Sequence, residues 1–182
     1  MKAKASLTVL AAILGCAIGG RTIAQIGPPA HTTQTELVGV WSLVSIETVW
    51  TSGKVDSNWM GPKPTGLIIY DQAGYMAAQI MHDPRVTWKF TGNTPPQDAE
   101  DASAADKAAA FDGYYAYYGR YEVSEKDHTV RHHIESSLWP PEVGITYERH
   151  YELDHDRLTL TTTRRKSKGE LRYNRLVFER VK

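Results

Sequence analysis

The 182-residue sequence has one cysteine, Cys16, and a lone thiol excludes an internal disulfide framework. Stability must come from a packed core. The longest apolar run, Leu7 to Ile18, falls short of the roughly 20 residues a membrane-spanning helix needs, so no transmembrane helix is expected. Excess basic charge is lacking too: 21 Lys and Arg face 21 Asp and Glu, and no basic stripe interleaves with aromatics, which argues against a nucleic-acid partner. There is no Gly-x-Ser-x-Gly elbow and no Gly-rich phosphate loop, the usual marks of serine hydrolases and nucleotide binders.

What the N-terminus does contain is Lys2 and Lys4, the apolar run, then Gly19, Gly20 and Arg21. This order reads as a secretory signal. Two cleavage sites are open: after Ala24, with residues 1–24 removed, or before Cys16, where Ile13-Leu14-Gly15-Cys16 is similar to a lipoprotein box and would give a lipid anchor. Cleavage after Ala24 leaves 18 basic against 21 acidic residues, a formal charge of −3, and no cysteine. The expected location is periplasmic or secreted, with an outer-membrane lipoprotein as the alternative. A remainder of roughly 155 residues suffices for one domain with its own core.

From Glu36 onward the pattern is strands. Gly39-Val40-Trp41 opens a β-branched run from Leu37 to Trp50 in which neither alternating face is purely polar. Thr65–Tyr70 and Tyr75–Met81 flank Asp71-Gln72-Ala73-Gly74 as a hairpin. Alanine-rich sequence after Ser103, with Asp106 three residues on, predicts a capped helix from about Ala104 to Tyr117, placing Phe111, Tyr115 and Tyr118 on one face. Strands return over Arg120–Val123, Thr129–Ser137, Ile145–Leu153, Leu158–Arg164 and Leu171–Val181. Arg164, Arg165, Lys166 and Lys168 beside Gly169 read as a solvated hairpin turn, with a phosphate or lipid-headgroup patch as the other reading. Near-sequential hairpins favour an up-and-down barrel over a sandwich.

Several segments together resemble the bacterial and fungal lipocalin-like domain family, a calycin-type barrel related in fold to lipocalins and fatty-acid-binding proteins. They are 37–45, 64–70, 74–79, the run Ala110-Phe111-Asp112-Gly113-Tyr114-Tyr115-Ala116-Tyr117-Tyr118-Gly119-Arg120-Tyr121, His132-His133-Ile134-Glu135, and 157–161. The resemblance covers residues 36–181 and implies an all-β, eight-stranded antiparallel up-and-down barrel with one helical insertion near 103–117 and a central cavity. It also implies a basic residue of the last strand, Arg175 or Arg180, stacked on Trp41.

A barrel of eight strands holds one small ligand, so inward polar residues are the candidates. Thr146, Glu148, His150 and Glu152 form a polar outer row, which turns Tyr147, Arg149 and Tyr151 inward. An inward arginine needs a partner: a carboxylate such as Glu47 or Glu135, the ring of Trp41, or the anionic head of a ligand, with the tyrosines as hydrogen-bond donors. Phe111, Tyr115 and Tyr118 either dock the helix onto the barrel or contact the ligand directly, an aromatic lid doing both. Trp50, Trp59, Trp88 and Trp139 fall near strand ends, where they either pack under loops or rim the mouth. His133 and Glu135 share a strand face as a candidate acid–base pair; a metal site is the weaker reading, since no third ligand stands at a suggestive spacing, although His82 and His150 are present. Two functions follow: an exported binder of a small, mostly apolar molecule, or a cofactor-independent isomerase, cyclase or hydro-lyase using His133 and Glu135. Neither requires a cofactor or metal. A structural envelope component is the third reading, if Cys16 is acylated.

Overall fold

The computed structural model describes residues 33–57, 59–85 and 100–182. The expected leader, Cys16 and Trp88 lie outside these. A short helix α1 (Thr33–Leu37) precedes β1 (Gly39–Trp50), β2 (Val55–Asp56), β3 (Thr65–Tyr70) and β4 (Tyr75–Met81); helix α2 (Ala104–Asp112) leads into β5 (Tyr114–Ser124) and β6 (Thr129–Ser137). A 3-10 turn (Pro140–Glu142) separates β6 from β7 (Thr146–Asp154), followed by β8 (Arg157–Thr162), β9 (Arg165–Ser167) and β10 (Glu170–Arg180).

All pairings are antiparallel. The order β1-β3-β4-β5-β6-β7-β8-β10 closes through β1 against β10, and the short β2 and β9 extend β1 and β10 at one end. Eight main strands thus form a closed up-and-down barrel, as the sequence pattern indicates.

β1 shows why neither of its faces read as polar. The register against β10 slips between Leu43 and Ser45, and this bulge moves the buried set from Trp41 and Leu43 to Ile46 and Thr48. The helix is shorter than expected. Ser103 caps it by accepting from the Asp106 amide, and Gly113 ends it, so Tyr114 to Tyr118 belong to β5. Aromatic residues suit a pleated strand, and β5 buries Tyr117 and Tyr121 while exposing Tyr118.

The core fills the interior from the Gly39 end upward: Trp41, Ile68, Tyr70, Val130, His132, Leu158 and Phe178 are each at most 2% exposed. The hairpin turns at 71–74, 124–128 and 154–157 all lie at that end, whereas β1, β4 and β6 end and β3, β5 and β7 begin at the other.

Candidate functional site

The closed end is fixed by β1 pairing directly with β10, which sets Trp41 opposite Arg180. The Arg180 guanidinium lies 4.1 Å from the Trp41 ring centroid, donates to the Val38 carbonyl at 2.8 Å and to the Glu36 carbonyl, and meets Asp156 at 3.4 Å. Trp41 Nε1 donates to the Leu37 carbonyl at 2.8 Å. Of the two arginines, Arg180 is therefore the one on Trp41; Arg175 sits outside on Glu47 at 2.6 Å. Gly39 has φ +140°, and a Cβ there would stand 2.7 Å from Arg180 Nη1, so glycine makes room for the clamp.

The open end holds a cavity of about 290 Å³. Ile46, Met60, Ile80 and Leu176 form its apolar wall, Trp59 and Trp139 stand at its edge, and Tyr115, Glu142, Tyr147, Arg149, Arg165 and Asn174 supply the polar groups. An apolar wall with few convergent polar groups is the usual makeup of a small-molecule site.

Arg149 comes from the middle of β7. Its guanidinium carbon lies 4.7 Å from the Tyr147 ring centroid, and its charge is close enough to Tyr117 to oppose the rise that burial gives that phenol's pKa. Among the described residues no carboxylate comes within 4.0 Å of it; the arginine ion pairs engage Arg120, Arg131, Arg157, Arg175 and Arg180. Arg165 lines the same cavity, opposite Arg172 in the β9–β10 pair. Burial lowers its pKa, and the neighbouring Arg172 and Arg149 charges lower it further. Guanidinium groups close enough to perturb one another favour an anion.

Glu142, only 8% exposed, faces this cationic set. It accepts from Tyr147 at 2.5 Å, Ser137 at 2.7 Å, and Tyr115 at 3.1 and 3.2 Å to its two oxygens. Burial, then the Glu142 bond, pushes the Tyr147 phenol up to about 12; burial also raises Tyr115. Both keep their protons at neutral pH.

Beneath the cavity His132 is fully buried between two tyrosines: Tyr70 at 2.9 Å from Nε2 and Tyr117 at 3.0 Å from Nδ1. As a neutral imidazole His132 donates to one of these phenol oxygens and accepts from the other, so both ring nitrogens are satisfied. Burial first, then the Arg149 charge, drives the His132 pKa well below its ordinary value. The neutral imidazole thereby ties Tyr70 of β3 and Tyr117 of β5 to β6 beneath the cavity.

The expected site residues separate into three groups. Tyr147, Arg149 and Tyr115 meet at the cavity, Tyr115 from β5 rather than from a helix. Tyr151 points inward but is packed lower in the core at 4% exposure, its ring 5.9 Å from that of His128. Tyr118 stands on the outer face at 51% exposure, because strand alternation, not helical spacing, governs 114–118. His133 and Glu135 are also outside: inward residues of β6 are Val130, His132 and Ile134. His133 bonds Thr146 at 2.9 Å and approaches Glu122 at 3.5 Å, while Glu135 pairs with Arg120 at 3.6 Å. The proposed acid–base pair therefore has no access to the cavity. Glu47 and Glu135, the carboxylates considered as partners of Arg149, are both engaged on the exterior.

Glu142 and Arg165 were not legible as site residues. Glu142 follows two prolines that read as an interruption, and Arg165 sits among charges that read as a solvated turn. Trp50 packs under Arg172, 5.3 Å away, whereas Trp59 and Trp139 do border the cavity. Among the described residues no cluster of His, Cys, Asp or Glu is arranged to hold a metal ion, and no helix is long and apolar enough to cross a membrane.

A first-strand tryptophan under a last-strand arginine closes one end of this lipocalin-like barrel, and a mixed cavity occupies the other. The chain belongs to the lipocalin-like domain family, whose model matches residues 38–181. Among solved structures it is similar to a lipocalin-like protein from Bacteroides uniformis, with 12% identity over 80% of this chain and 99% of that chain and a TM-score of 0.39. A search of curated proteins finds no match.

Proposed function

We propose that this protein binds a small, mostly apolar molecule through an anionic head held by Arg149. The observation that carries this reading is a cavity-lining arginine stacked on Tyr147 and lacking a protein carboxylate within 4.0 Å among the described residues. A half-buried guanidinium with no carboxylate in contact keeps its donors for a ligand acid, which a charge-assisted bond holds. The second arginine, Arg165, adds positive potential at the mouth. Ile46, Ile80 and Leu176 cover the apolar body of the ligand. The placement of His133 and Glu135 outside the barrel favours this binder over the enzyme reading based on that pair. Export of the chain rests on the N-terminal sequence alone, and an intact mass that retains residues 1–24 would contradict it.

The test is a tryptophan-fluorescence titration with α-naphthoate and its neutral isostere α-naphthamide, using Trp59 and Trp139 at the cavity edge as reporters. A charge-assisted hydrogen bond is worth about 1.5–3 kcal/mol, which predicts that the acid binds about ten- to a hundredfold tighter than the amide. Equal affinities, or no binding of either, would refute the anion site.

A further inference from the structure

The hydrogen-bond directions within the cavity carry the ligand's chemistry one step further. Glu142 draws in every hydroxyl proton near it: those of Tyr115, Ser137 and Tyr147. Ser137 is closed on both sides, since its oxygen also accepts from the Trp139 amide at 3.1 Å. Each phenol has one proton, and once that proton is committed to the carboxylate only oxygen lone pairs remain for the cavity. The Glu142 side of the site therefore presents acceptors. The same cavity also presents donors: Arg149, stacked on the Tyr147 ring, Arg165, and Asn174, whose carbonyl oxygen already takes the Thr48 hydroxyl at 3.0 Å.

We infer that the ligand is an acid that also carries a hydrogen-bond donor, a hydroxyl or an amine, placed to meet the phenol oxygens of Tyr115 and Tyr147 while its anion meets Arg149. This rests on the anion reading above and names the second half of the same ligand. An acid with a purely hydrocarbon body would bury both phenol oxygens without a donor. A site built to hydrogen-bond a ligand group discriminates against the analogue that lacks it, because its own polar atoms are then left unpaired. The upward displacement of both phenol pKa values keeps the protons on the tyrosines and so preserves this polarity at neutral pH.

The experiment is calorimetric titration of the protein with α-naphthoate, a panel of its ring-hydroxylated isomers and the matching methoxy ethers. At least one hydroxy isomer is expected to bind about five- to tenfold tighter than the parent acid, with its methoxy ether weaker than the parent. Glu142→Gln should reverse that order: its amide donates to one phenol oxygen and releases a phenol proton toward the ligand, so the methoxy ether gains over the hydroxy acid. Tyr147→Phe, which keeps the ring under Arg149, should remove the hydroxyl preference, so that hydroxy and parent acids bind alike in that variant. If parent and hydroxy acids bind alike in the wild type, the donor inference fails and the anion site stands. If neither binds, the anion site itself fails.

Discussion

Arg149 is held in place before any ligand arrives. Tyr147 supports its face, and His132 fixes the neighbouring Tyr117 from below. Such preorganisation lowers the entropy lost on binding. The same arrangement makes His132 a pH-sensitive part of the fold. The groups facing it are Tyr70 from β3, Tyr117 from β5 and Arg149 from β7, with His133 its neighbour along β6. Its folded pKa is depressed, so between that value and the unfolded value of about 6.5 the unfolded chain binds the extra proton. Stability is then full above about pH 7 and falls as pH drops below about 6.5. His155 is shifted upward by Asp154, the opposite sense, but is fully exposed and screened. Thermal unfolding between pH 5 and 7 should show the acid-side loss in the wild type and a flatter profile in His132→Gln; identical slopes in the two would contradict the buried neutral imidazole.

Among the elements, β1 carries both the most legible and the least legible information. Gly39-Val40-Trp41 marked the barrel entry correctly because the left-handed φ of Gly39 and the space for Arg180 are local requirements that a tripeptide can display. Ala at position 39 would meet both the strained backbone and the guanidinium. A destabilisation of about 1–3 kcal/mol is expected, read from urea unfolding; a variant as stable as the wild type would show that the clamp does not depend on that glycine. The bulge at Val44 was hidden, because one extra residue reverses every later side chain without leaving a composition signal. The segment Tyr114–Tyr118 misled for a related reason. Its aromatics satisfy helical spacing and strand alternation alike, and the alanine run before it extends the helical reading past Gly113. Tyr118 consequently moved from the ligand side to the outer face, while Tyr115 stayed with the cavity on a different element.

At the scale of the molecule, the two ends divide the labour. The Trp41–Arg180 end, with its short turns, supplies the rigid closure, and the other end supplies the cavity and its charges. The inward row on β7 was readable because the outer row of Thr146, Glu148, His150 and Glu152 is uniformly polar. Its depth was not: sequence alternation separates inside from outside but does not say that Tyr151 lies below the cavity floor and Tyr147 in its wall. Glu142 escaped for the opposite reason, since a residue in a Pro-rich turn has no periodicity to place it. The central claim, that Arg149 makes this barrel a binder of small acids, is tested most directly by repeating the naphthoate and naphthamide titrations on Arg149→Gln beside the wild type, with circular dichroism as the check on folding. The account predicts that the variant stays folded and loses the preference for the acid, binding naphthoate about ten- to a hundredfold more weakly. A folded variant that binds naphthoate as tightly as the wild type would contradict it.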